Sequence, residues 1–291
     1  MKKLFDSVFV HAALAVFLFG CVPVSVRVVS ADPYTIGIFR MSVGVLCLGV
    51  ILLAKTRKLN LLISDIWPLI FLGTCFALHW LTYFWSIKKA SASLAAVGLA
   101  TYGIHLIVLG CLIRKEAPKL SDVLGVGLAF IGTVLNVPEF SLESELTLGL
   151  LLGISSGFFY AVLPFIHQRN THIPGNIRTL GQLGFALLWF CLFLPQTKWQ
   201  LSSFDWAILV FLGLGCTVVA HSLWVKVTTE LSTQTTSVVY YGYVFVSMFL
   251  AYMLLDEVIT LKMLIGAVMV VVGIYIALDG QRKRGGLLSG A

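Results

Sequence analysis

Apolar stretches long enough to cross a bilayer recur from residue 8 to residue 279, and they constrain this chain more than any other feature. About 20 residues in a helix, rising about 1.5 Å each, span roughly 30 Å of hydrocarbon. Backbone polar groups in lipid must be satisfied internally, and the alternating pattern of a lipid-embedded barrel is absent. Helices are therefore predicted at 8–28, 33–54, 67–87, 91–113, 120–137, 147–167, 174–195, 206–228, 233–255 and 260–279 (spans 1 to 10). With 59% hydrophobic and only 11% charged residues, no length remains for a sizeable soluble domain. Span 1 has a long apolar core and no evident small-residue cleavage site, so it is expected to be retained rather than removed as a signal. The glycine-rich end, 281–291, reads as a tail.

The formal charge of +7 raises the question of nucleic acid, but its distribution answers differently. With the N-terminus in the cytoplasm, that side collects Lys2, Lys3, Lys55, Arg57, Lys58, Arg114, Lys115, Lys119, Arg169, Arg178, Lys226, Arg282, Lys283 and Arg284. The far side receives Arg27, Lys88, Lys89, Lys198 and Lys262, together with the acidic loop residues Glu139, Glu143 and Glu145. Fourteen basic residues against five is a positive-inside bias, so both termini are expected in the cytoplasm and no nucleic-acid partner is implied. The expected setting is a plasma membrane, a bacterial inner membrane by preference, with the lipid bilayer and a small-molecule solute as partners. A monomer or weak dimer is expected. Six cysteines, all within spans and without a CxxC pair, read as small packing residues.

Sliding the chain against itself by 141 residues superposes Pro23 on Pro164, Pro33 on Pro174, Ser91 on Ser232 and Tyr102 on Tyr243. The same shift brings Glu116 onto Glu257, Gly125 onto Gly266 and Gly132 onto Gly273, with no gap. An internal duplication follows, with units 1–141 and 142–280. Each unit holds five spans, and an odd number reverses the second unit in the membrane. The expected fold is an all-α integral membrane protein of ten transmembrane helices, built as two inverted five-helix repeats. Such repeats are a common plan of secondary transporters, with the solute bound near mid-membrane between the halves.

Each half ends in a Glu, a Gly nine positions on and a second Gly seven positions after that: "EAPKLSDVLGVGLAFIG" from Glu116 and "EVITLKMLIGAVMVVVG" from Glu257. In the first half a small-residue stretch, "ASASLAAVGLA", comes before it. The chain resembles EamA-type transporters of the drug/metabolite transporter superfamily over nearly its whole length. That resemblance implies a central cavity lined by spans 1, 3, 4, 6, 8 and 9, with spans 5 and 10 packed at the periphery. It also implies transport of amino acids or other small metabolites, commonly outward.

Polar and aromatic residues recur at helical steps on those spans. Phe76, His79, Trp80 and Tyr83 mark span 3, Thr217, His221, Trp224 and Thr228 span 8, and Thr236, Tyr240, Tyr243 and Ser247 span 9. Tyr102 and His105 on span 4, and Ser156, Tyr160 and His167 on span 6, extend the set. Polar groups at membrane depth are costly unless they face a partner or water, so a hydrated cavity is expected. The candidate substrate-binding residues are His79, Trp80, Tyr83, Tyr102, Tyr160, His221, Trp224, Tyr240 and Tyr243. Against this stand helix-to-helix hydrogen bonding, for His79 above all, and membrane-interface belts, for Trp85 and Trp206. Arg40, one third of the way into span 2, and Gln182 on span 7 are candidates for gating or charge. Arg40 could hold a substrate carboxylate or be structural. Gly125, Gly132, Gly266 and Gly273 are predicted helix-packing positions.

No Asp or Glu lies near the centre of a span, which counts against exchange of protons for lipophilic cations. HExxH, GxSxG, phosphate-loop and carboxylate-cluster motifs are absent, so no enzyme activity, metal or cofactor is expected. The expected function is alternating-access transport of a small polar or zwitterionic metabolite, an aromatic or hydrophobic amino acid being favoured. A nucleoside-like metabolite such as S-adenosylmethionine, or an exchange reaction, is the alternative. A multidrug cation exporter ranks below both.

Overall fold

The computed structural model describes residues 2–55, 62–115, 120–135, 144–230 and 239–282. Among them the secondary structure is entirely helical. The helices are α1 (Lys2–Val28), α2 (Pro33–Lys55), α3 (Ile66–Lys89), α4 (Ala92–Ala100), α5 (Tyr102–Arg114) and α6 (Leu120–Leu135). The second half holds α7 (Glu145–Arg169), α8 (Gly175–Cys191), α9 (Ser203–Val210), α10 (Ala220–Glu230), α11 (Gly242–Leu255) and α12 (Leu261–Arg282). Among the described residues, six apolar stretches are long enough to cross a membrane: 8–28, 33–54, 63–89, 92–113, 145–169 and 203–224. Shorter apolar helices occupy 123–133, 242–255 and 261–273. All ten spans thus have helical counterparts. Glu116, Glu139, Glu143, Ser232, Thr236 and residues 283–291 lie outside the described residues, and the side chain of Thr228 is likewise not described.

Two spans are less regular than expected. Span 4 breaks at Thr101, which ends α4 and opens α5 while its hydroxyl donates to the Gly98 carbonyl at 2.7 Å. Between α9 and α10, span 8 winds as a π-helix over Phe211–Val219. There the Ala220 N–H reaches the Gly215 carbonyl and the Thr217 hydroxyl donates to Leu212 O at 2.9 Å. A π stretch inserts extra residues into the turn and re-aims the side chains that follow.

Helix starts follow from local chemistry. Asp32 precedes Pro33 and accepts from the Tyr34 and Thr35 N–H groups at 2.9 and 3.0 Å, capping α2 where proline needs no donor. Glu257, at the end of α11, reaches across to accept from Ala92 N and Ser93 N at 2.8 and 3.2 Å. It caps α4, where the helix dipole favours a carboxylate.

Small residues set the close approaches. A Cβ on Gly98 would stand 3.0 Å from the Gly153 Cα, so α4 and α7 touch backbone to backbone. At the α6–α12 contact, a Cβ on Gly132 would lie 2.6 Å from the Gly266 carbonyl oxygen. One on Gly273 would lie 2.7 Å from the Ala129 nitrogen and close to the Gly125 carbonyl. The four predicted packing glycines therefore meet in one interface. The core draws mainly on α1, α2, α3, α4, α7, α8 and α11, with one or two residues each from α6, α9, α10 and α12.

Two contacts tie the halves together at opposite faces. Where α1 ends, Asp205 at the start of α9 accepts from Ser30 N at 2.8 Å and Ser30 Oγ at 2.6 Å. At the face where α1 begins, Asp65 before α3 meets His172 Nε2 at 3.0 Å. Each aspartate also takes its own upstream backbone N–H, from Ser202 or Leu62, at 3.2 and 3.0 Å. Asp205 and His172 lie within one residue of the positions to which the 141-residue shift carries Asp65 and Ser30. In each contact, the third span of one half grips the loop between the first and second spans of the other.

Candidate functional site

The helices bring the predicted aromatic residues into one network. From α3, His79 stacks on Tyr160 of α7 at a 4.7 Å ring separation and contacts Trp80 at 4.8 Å. Tyr160 meets Tyr102 of α5 at 5.6 Å and Tyr240 at 6.1 Å. Tyr240 is the hub: it contacts Tyr102 at 5.3 Å, Trp224 at 5.3 Å, Tyr243 at 4.9 Å and Phe19 of α1 at 5.9 Å. Phe19 also touches His221 at 5.2 Å and Trp224 at 5.8 Å, and Phe76 links His221 back to Trp80. Tyr83 joins through His79 and Trp80.

All nine candidate substrate-binding residues thus share one network, supplied by spans 1, 3, 4, 6, 8 and 9. The rings are packed together and mostly buried, with Trp80, Tyr83, Tyr240 and Tyr243 at most 6% exposed. In place of the hydrated cavity that the sequence predicts, the aromatic walls are in mutual contact, as in an occluded centre. Phe19 and Phe84 also belong to this network, through Tyr240 and Trp80. On a hydropathy scale they are indistinguishable from lipid-facing phenylalanines such as Phe17, and only tertiary packing separates them.

Hydrogen bonds divide the polar members. His79 Nδ1 lies 2.8 Å from Ser156 Oγ and 3.2 Å from Ser156 O, and the Ser156 hydroxyl is 3.0 Å from His79 O. His79 therefore ties α3 to α7, as the helix-to-helix alternative required. Tyr243 donates its hydroxyl to Ala96 O at 2.9 Å across the two halves. Trp80 Nε1, Tyr83 Oη and His221 Nε2 are buried with no hydrogen-bond partner.

Arg40 enters from α2, which lies outside the six spans expected to line the centre. Its side chain is fully buried. The guanidinium carbon lies 4.0 Å from the centroid of the Trp80 ring and 5.5 Å from that of Phe84. Its Nε donates to Thr217 Oγ1 at 3.0 Å, on the π-helical stretch. Gln182 is engaged elsewhere: its Oε1 pairs with His167 Nε2 at 2.9 Å, and Arg178 donates to the His167 carbonyl. The structure does not join Gln182 to Arg40 by any hydrogen bond.

The interface candidate Trp206 stacks on Trp199 and remains 37% exposed, and Trp189 of α8 donates to Thr74 Oγ1 at 2.8 Å. Lys89 pairs with Glu145 at 2.7 Å and Lys88 donates to the Val29 carbonyl. All six cysteines are free thiols, and no group of three metal-ligating side chains occurs among the described residues.

The sequence profile of the EamA-like transporter family matches this chain twice, at residues 7–137 and 147–278. The chain belongs to the EamA-like transporter family. Its double match coincides with the two halves that the geometry joins in opposite senses. As an EamA-like protein of the drug/metabolite transporter superfamily it is a multi-pass membrane transporter. An "Uncharacterized transporter" of Archaeoglobus fulgidus is 26% identical over 269 residues, covering 91% of this chain and 93% of the relative. A second, also named "Uncharacterized transporter" and from the same organism, is 27% identical over 219 residues, covering 69% of this chain and 71% of the relative. A solved structure titled "Crystal structure of protein" shares the fold with a TM-score of 0.66 at 17% identity, over 97% of this chain and 99% of that one.

Proposed function

We propose that this transporter carries a small polar or zwitterionic metabolite, an amino acid with an aromatic or hydrophobic side chain being favoured, through the ring network at its centre. The single observation that supports this is the convergence of Phe19, His79, Tyr102, Tyr160, Trp224 and Tyr240 from six spans of two inverted halves. Rings that separate as one mouth opens would offer faces for stacking, and the tyrosine hydroxyls would orient the solute. The halves exchange conformations so that one mouth closes as the other opens. The membrane is a bacterial inner membrane, with both termini on its cytoplasmic side, in keeping with the basic residues that gather there.

Flux of radiolabelled L-phenylalanine, L-tryptophan and L-leucine into proteoliposomes containing only this protein tests the proposal. Saturable uptake that one unlabelled member inhibits is expected. Uptake equal to that of protein-free liposomes for all three would overturn the amino acid assignment. Cysteine labelling of the two termini in intact cells tests the orientation, and labelling of either terminus from outside would reverse it.

A further inference from the structure

A buried guanidinium without a counter-charge is costly, and proteins rarely keep one without a use. Arg40 is such a group. Its Nε is bonded to Thr217, yet both Nη1 and Nη2 are buried without any hydrogen-bond partner. The two ion pairs among the described residues, Lys89 with Glu145 and Asp65 with His172, do not involve it. The Trp80 face stabilises the cation but accepts no N–H hydrogen bond in the plane of the guanidinium.

The neighbouring orphaned groups sharpen the chemistry. Trp80 Nε1 can only donate, and Tyr83 Oη and His221 Nε2 are also unpartnered. Tyr83 Oη and a ring nitrogen of His221 are able to accept as well as donate, yet neither pairs with the guanidinium, and no carboxylate among the described residues does. The complement of two parallel guanidinium N–H groups is a planar oxyanion with two acceptor atoms. Thr217 fixes the Nε side and the Trp80 ring covers one face, so the outward fork is left for a ligand.

We propose that Arg40 is the anion-recognition group of the transport site, binding the carboxylate of the solute through Nη1 and Nη2 while the ring network takes its apolar body. This rests on the transport reading above and narrows it to solutes with a free carboxylate. The Thr217 hydroxyl, re-aimed by the π stretch, is a positioning residue that holds the fork in register.

Matched pairs test this on the unmodified protein. L-Phenylalanine against L-phenylalaninamide, and 3-phenylpropionate against 3-phenylpropionamide, differ only in the anionic group. Each acid is expected to raise the thermal midpoint of detergent-purified protein, and each amide to bind about tenfold or more weakly. Arg40→Gln should abolish the preference, and Arg40→Lys should keep only part of it because an ammonium lacks the fork. Thr217→Val should weaken acid binding without changing that of the amides. Equal responses to acid and amide, no response to any acid, or an undiminished acid preference in a folded Arg40→Gln protein would each overturn the assignment. Saturable flux of the amides in proteoliposomes with the same half-saturation as the acids would sink the carboxylate role yet leave transport standing. Absence of flux for acids and amides alike would instead remove the transport reading on which it rests.

Discussion

Tyr240 touches Phe19, Tyr102, Tyr160, Trp224 and Tyr243, so it joins spans 1, 4, 6, 8 and 9 through one ring. Truncating it to alanine removes those contacts and opens a cavity, and a loss of about 3–5 kcal/mol in stability is the usual cost for a buried aromatic. Tyr240→Phe separates packing from chemistry: it keeps the ring and deletes only the hydroxyl. We expect Tyr240→Phe to retain expression and a thermal midpoint near wild type, with reduced flux if the hydroxyl orients the solute. Wild-type flux in that variant would assign Tyr240 to packing alone. Tyr243 is a contrasting case. Its hydroxyl is already committed to Ala96 O, so Tyr243→Phe should lower stability by about 1 kcal/mol, read in a thermal melt.

At the scale of helices, the α6–α12 contact and the cap on α4 make separate forecasts. Gly132→Leu would drive a side chain into the Gly266 backbone and should reduce the yield of folded protein by fluorescence-detected size exclusion. Gly127→Leu, where a Cβ meets nothing within 4 Å, is the control and should leave the yield unchanged. Glu257→Gln weakens two charge-assisted bonds to the α4 N-terminus and should cost about 1 kcal/mol by the same melt. These elements were readable in advance because length, apolar run and small-residue spacing are local properties. Span count, the inverted duplication and the packing glycines are all of that kind. Stripes of Tyr, His and Trp likewise showed which faces point inward. The π stretch at Phe211–Val219 and the break at Thr101 left no local signal, since both answer to neighbouring helices. The partnering of His79 with Ser156, and of Gln182 with His167, required two distant spans to be docked first. Arg40 stood out by its charge at depth, but its neighbours did not.

For the molecule as a whole, the two aspartate contacts lie at opposite faces of the bundle and join opposite halves. Asp65→Ala should loosen the face where α1 begins, and Asp205→Ala the face where it ends. A single reporter cysteine near each face, labelled with a membrane-impermeant maleimide, should gain reactivity at the face whose aspartate is removed and not at the other. Equal labelling in both variants would show that the contacts merely cap their helices. The two fastenings are nevertheless unlike in kind. Asp205 is met by a serine amide and hydroxyl, whereas Asp65 is met by an imidazole ring nitrogen. The two halves are thus joined to one another by chemically dissimilar clasps. The likeness between the halves therefore stops at their fastenings: the 141-residue shift carries Ser30 to Thr171, and it is the next residue, His172, that reaches the facing aspartate.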